Sequence, residues 1–341
     1  MGISIRGSSD SGARAASSST PADPVTAGSL VDYAWLLESV RHDYDRAEEM
    51  YERAIEADPG YAWGLGSYAR FLQYVRHDYD RAEEMYQRAI KADPNHANNL
   101  GNYALLLENV RRDYDRAEEM YQRAIEADPN HANNLGNYAL LLENVRRDYD
   151  RAEEMYQRAI EADPNHAYSL SRYAWFLWHV RLYHDRAEEM YQRAIEADPR
   201  RAGILGGYAR FFHEVRRDYD RAEEMYERAI EADPDHAINL GNYANFLTNV
   251  RRDYDRAEEM YQQAIEANPE YAHGLANYAL LLESVRHDYD RAEEMYERAI
   301  EADPNHAYSL RNYARFLQYV RHNYDRAEEM YRRFIEADHG Q

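Results

Sequence analysis

The chain of 341 residues contains no cysteine. That excludes disulfides, thiolate nucleophiles and cysteine-ligated zinc or iron–sulfur centres, and it suits a reducing compartment. Long apolar runs are missing too: no stretch approaches the roughly 18–20 apolar residues of a membrane-crossing helix. Positive charge is scarce, with 41 Lys and Arg against 63 Asp and Glu and a net charge of −22. An acidic surface repels the phosphates of nucleic acids and anionic lipid headgroups alike, so neither partner is expected. There is no glycine-rich phosphate loop and no Ser-centred nucleophile motif, and His213-Glu214 lacks the later histidine of a zinc-protease helix. The chain reads as non-enzymatic, with no cofactor and no metal.

What is present is repetition. Pro24, Pro59, Pro94, Pro129, Pro164, Pro199, Pro234, Pro269 and Pro304 mark a register of 35 residues, and nine copies follow it to Asp338. Residues 95–129 and 130–164 are identical, which points to recent duplication. Residues 1–24, rich in Ser, Ala and Gly, read as a flexible arm, and 25–341 as one repeat domain. The arm lacks the apolar core of a secretory signal. Arg6 stands where a myristoylation signal has Ser or Thr, and Asp10 and Asp23 count against a transit peptide.

Each copy reads as two helices. In the third, Asp93-Pro94 suits a helix start. Ala97, Leu100, Tyr103, Ala104, Leu107 and Val110 then form a buried stripe, and Arg111-Arg112 close the helix. Asp113 caps a second helix with the stripe Ala117, Met120, Tyr121, Ala124 and Ile125. Its opposite face, Arg116, Glu119, Arg123 and Glu126, is spaced for ion pairs of about 0.2–0.5 kcal/mol each. Burial of a large apolar side chain, at about 1.5–3 kcal/mol, therefore carries most of the stability. A lone hairpin cannot bury both stripes, so the copies must stack. The repeated Glu118-Glu119 reads as part of a solvated face, and His96 and His131 as loop histidines at the start of the first helix.

The order Leu100, Tyr103-Ala104, Leu107, Ala117, Tyr121, Ala124 and Pro129 resembles the tetratricopeptide repeat (TPR) over residues 25–338. The resemblance implies an all-α fold, a right-handed superhelical solenoid of nine helix–turn–helix units. Three departures stand out. The unit has 35 residues rather than 34. Leu100 and Tyr103-Ala104 replace the usual Trp and Leu-Gly, and Arg112 replaces the glycine before the Asp-Tyr-Asp turn. The extra residue lies between Leu107 and Asp113 and implies a slightly longer first helix, called helix A.

In TPR proteins helix A lines a groove that holds partner segments, so resemblance implies a protein or peptide partner here. The residue after each Tyr-Ala, and the one four further on, vary from copy to copy. They include Trp35, Arg70, Tyr74, Trp175, His179, Arg210, Asn245, Arg315 and Tyr319. Trp, Tyr and Arg dominate interface hot spots. The fifth copy adds Trp178 and places Tyr183-His184 where the usual pair is Asp-Tyr, losing a cap worth about 1 kcal/mol. The TPR class that clamps a terminal carboxylate is disfavoured, because Gly101 and Leu105 occupy two of its places.

The alternative is a second copy of the chain as partner. Copies one and two resemble copies eight and nine, "LLESVRHDYDRAEEMYERAIEADP" recurring at 36–59 and 281–304. Uncapped ends would then stack head to tail into a filament through Ile3, Ile5, Phe334 and Ile335. Duplication explains the same similarity without assembly.

Overall fold

Each copy folds as two helices because it carries two 3.6-residue apolar stripes separated by a capped turn. In the computed structural model, which describes residues 26–339, the repeats form eighteen α-helices. The arm, with Ile3 and Ile5, lies outside the described residues. Among the described residues there is no strand, and no helix is long and apolar enough to cross a membrane. They fall into two compact units, to Ala127 and from Asp128. Within each, helix A packs on helix B of its own repeat, and helix B on helix A of the next.

Helix A of the third repeat starts at Ala97, later than Asp93-Pro94 suggests. Asp93 ends the preceding helix, and its carboxylate accepts from Asn95 N at 3.1 Å to shape the turn. His96 is the cap: its Nδ1 accepts from Asn99 N at 3.4 Å. The expected buried stripe is present at Leu100, Tyr103, Ala104 and Leu107, with Leu106 and Asn99 buried beside it. Val110 and Ala97, expected inside, are only half-buried, because the helix ends near Val110 and starts at Ala97.

The extra residue per repeat is absorbed at the end of helix A. Leu107–Arg111 form a π-helical turn, which holds one residue more between bonded groups than an α-turn does. Arg112 then adopts φ 54°, ψ 29°, and its N–H points at the Leu107 carbonyl, as does that of Asp113 at 3.0 Å. Arg111 therefore ends the helix and Arg112 lies beyond it. Among the described residues, nine non-glycine residues occupy this left-handed position, each at a cost of about 1–2 kcal/mol.

Helix B begins as the sequence indicates, with Asp113 Oδ1 accepting from Arg116 N at 3.2 Å. In the fifth repeat Tyr183 sits at the cap and makes no side-chain bond. Tyr121 does more than fill space: its buried hydroxyl donates to Glu108 at 2.9 Å. Equivalent pairs are Tyr51–Glu38, Tyr156–Glu143 and Tyr296–Glu283, with glutamine in the acceptor's place at Tyr86–Gln73. Burial holds Glu108, Glu143 and Glu283 above the usual carboxylate range, and the tyrosine hydrogen bond pulls each back.

The charged face works differently from expectation. Most pairs four residues apart on helix B are long, 3.9 Å for Arg88–Glu84 and for Arg158–Glu154, while Arg332–Glu328 is 3.2 Å. Most of the short ones join repeats. Arg216 reaches back to Asp185 and Glu188 of the preceding helix B, both at 2.6 Å, and Arg251 does the same to Asp220 and Glu223, both at 2.7 Å. Each ties the stack with a two-toothed contact whose guanidinium is partly shielded from water.

Candidate functional site: a groove on helix A of repeats five to seven

The residues after Tyr-Ala are half-buried in repeats two to eight and exposed in the first and last, as a face shared by neighbouring repeats requires. In the unit from Asp128 this face carries a groove of about 930 Å3. It is lined from helix A of repeat five (Ala167–Phe176), repeat six (Ala202–Phe211) and repeat seven (Ala237–Phe246). Trp175 and Arg210, both anticipated, face it together with Tyr168, Arg172, Arg201 and Ile238.

The floor is glycine. Gly206 lets helix A of repeat seven approach, since a Cβ there would overlap the Asn239 carboxamide, and Gly207 lies against the Tyr191 ring. That buried carboxamide donates to the Ala202 carbonyl at 2.9 Å, joining the two helices under the groove. Tyr191 closes the base, 2% exposed. Burial raises its hydroxyl well above the usual tyrosine range, while the charges of Arg210 and Arg172 pull the other way.

The wall is an aromatic cluster. Trp175 stacks on His179 with centroids 3.5 Å apart and meets Trp178 edge-on at 5.3 Å. The Arg210 guanidinium lies 5.0 Å from the Trp175 ring centroid and 3.0 Å from Glu214. His179 Nδ1–H donates to the Trp175 carbonyl at 3.1 Å, which fixes the ring's orientation. Trp178 is buried, 6% exposed, against the Phe211 ring of the next repeat. It therefore braces Trp175 from behind.

The other anticipated residues lie apart from this groove. In the unit ending at Ala127, Trp35 is exposed, Arg70 reaches back to the buried Glu38 at 2.8 Å, and Tyr74 is half exposed at 51%. Asn245 is half-buried and its side-chain Oδ1 accepts from Asn249 Nδ2 at 2.9 Å. Arg315 and Tyr319 are exposed on the ninth repeat. Of the end set, Phe334 is half-buried and Ile335 exposed.

Tyr168 and Arg172, unlike Trp175 and His179, were missed from the sequence. The four are spaced i, i+4, i+7 and i+11, one helical face, and that spacing is the signal that identifies them. Among the described residues no group of three or more His, Asp or Glu is placed to hold a metal.

Tetratricopeptide repeat profiles match residues 72–132, 110–167, 145–183, 184–237, 215–246 and 250–285, more than half of the chain. Others of the same description match 42–61 and 295–329, and a Sel1 repeat profile matches 269–304. Among solved structures the chain is similar to the yeast Tom70, with 16% identity, coverage of 92% of this chain and 85% of that one, and a TM-score of 0.58. It is also similar to YrrB, a TPR protein with an unusual peptide-binding site, with 22% identity, coverage of 57% and 97%, and a TM-score of 0.39. No curated protein matches by sequence. With paired helices throughout and the repeat profile spanning most of their length, this chain belongs to the tetratricopeptide repeat family.

Proposed function

We propose that the chain is a non-enzymatic scaffold that holds a segment of another protein along helix A of repeats five to seven. The observation that carries this reading is the open groove of about 930 Å3, walled by Trp175 and Arg210 over a glycine floor. Rigid aromatics and arginine beside closely approachable backbone supply contact area at little entropic cost. The arginines that end helix A in repeats five to nine are tied to carboxylates of the preceding helix B that hold the stack together.

The test is a peptide selection from a random display library against the full chain, followed by affinity measurement with Trp175→Ala. Loss of at least about tenfold in affinity, the behaviour of a hot-spot tryptophan, supports the groove. Selected peptides that bind the variant as tightly as the parent would place binding elsewhere. Light scattering of the pure protein separates this reading from end-to-end assembly through Phe334 and Ile335, which requires particle mass to grow with concentration.

A further inference from the structure

We propose that the segment held in this groove is an acidic extended peptide, its carboxylates received by Arg172 and Arg201 over the ring of Tyr168; this rests on the binding reading above. Three departures from the repeat converge there. Arg172 stands where the eight other copies have Asp, Ser, Asn or Gly. Arg200-Arg201 stand where copies three to five have Asn-His, and no other copy has arginine at either place. In a chain so nearly uniform, three cations found once each and all lining one groove mark that groove as chemically distinct.

Their surroundings differ from those of the recurrent arginines. Arg216, on the same helix hairpin as Arg201, is held by two carboxylates at 2.6 Å. Arg172, Arg200 and Arg201 are exposed, and among the described residues none has a carboxylate within 4 Å. Arg172 and Arg201 nevertheless gather on one aromatic ring, their guanidinium carbons 5.3 and 5.7 Å from the Tyr168 centroid. Two like charges held at one ring repel each other, and an anion between them relieves that repulsion. Guanidinium is the group that receives a carboxylate through two parallel hydrogen bonds.

The acidic members of the lining do not fill this role. Asp198 Oδ1 accepts from Arg200 N at 3.4 Å, and Asp233 Oδ1 from Asp235 N at 3.2 Å, so each is engaged in its own turn. The groove thus presents arginine toward solvent in a protein whose net charge is −22. Trp175 and the exposed Ile238 supply apolar area alongside. The occupant this chemistry fits is a peptide that alternates carboxylates with apolar side chains.

The experiment measures fluorescence anisotropy of rhodamine-labelled peptides alternating Glu with Leu, Gln with Leu and Lys with Leu, against the full chain. The Glu peptide is expected to bind at least about tenfold tighter than the Gln peptide, and the preference to shrink as salt is raised. Arg172→Glu with Arg201→Glu should abolish that preference and transfer it to the Lys peptide. Arg252→Glu, an exposed charge reversal outside the groove, should leave it intact. Equal binding of Glu and Gln peptides overturns the proposal, as does unchanged binding by the double reversal or no binding of any peptide. Should the Gln peptide bind as tightly and be released by Trp175→Ala, the groove stands and its acidic preference falls. Should Trp175→Ala release no peptide, including those selected from a random library, the groove reading falls as well.

Discussion

Repeat four (130–164) and repeat five (165–199) build helices of the same lengths, ten and fourteen residues, joined by the same five-residue π-turn. Their faces differ. Repeat four carries Asn133, Asn137, Leu140 and Asn144 where repeat five carries Tyr168, Arg172, Trp175 and His179. Repeat five has also lost the aspartate that caps its neighbour's helix B, and its backbone is unmoved. The comparison teaches which residues hold the backbone and which are free to vary. Leucine, alanine and the buried tyrosine of helix B, Tyr156 and Tyr191, hold it; the groove positions vary without moving it.

The largest expected effect breaks what the two repeats share. Tyr156→Ala removes a fully buried ring and strands Glu143, which accepts from it at 2.7 Å. We expect a loss of about 3–5 kcal/mol in denaturant unfolding. A loss under about 1 kcal/mol would mean that stacking does not depend on that stripe.

A smaller effect sharpens what they do not share. Tyr183→Asp restores the missing cap acceptor to repeat five, and should raise stability by about 1 kcal/mol, seen as a higher denaturant midpoint at unchanged slope. The same change leaves the groove untouched, so peptide affinity should not move.

The smallest effect depends on pH. Glu143 is buried, its carboxyl held above the usual range by burial. A raised folded pKa means that stability is lost as pH rises from the unfolded value through the folded one, because ionisation is penalised only in the native state. Glu143→Gln keeps the hydrogen bond, as Gln73 does with Tyr86 at 3.0 Å. The variant should match the parent in acid and exceed it at neutral pH by less than about 1 kcal/mol. A variant that loses stability relative to the parent as pH rises would show that the ionised carboxylate is favoured there.

Much of this was legible from residue order. Apolar spacing gave the paired helices, and Asp113 and its counterparts gave the start of helix B, because a short acidic side chain before a periodic run has one good use. The start of helix A was misplaced because Asp93 and His96 both offer a cap acceptor within four residues, and only the fold decides between them. The extra residue was visible, yet its conformation was not: no residue type announces a left-handed Arg112 or Leu182. In the groove, Trp175 and Arg210 were found through their variation. Trp178 reads the same way in sequence, but Phe211 of the next repeat covers it, a contact made through packing across repeats. Arg201 was missed because it lies before the helix, and it joins Arg172 only where two hairpins meet over Tyr168.

The most direct measurement gives repeat five and its border the groove residues of repeat four. A chain carrying Tyr168→Asn, Arg172→Asn, Trp175→Leu and Arg201→His would be compared with its parent for unfolding midpoint and for affinity toward peptides selected on the parent. The midpoint should hold within the scatter of surface substitutions, about 0.5 kcal/mol, while affinity falls by at least about tenfold. Peptides that bind the altered chain as tightly as the parent would contradict the assignment of this groove as the binding site.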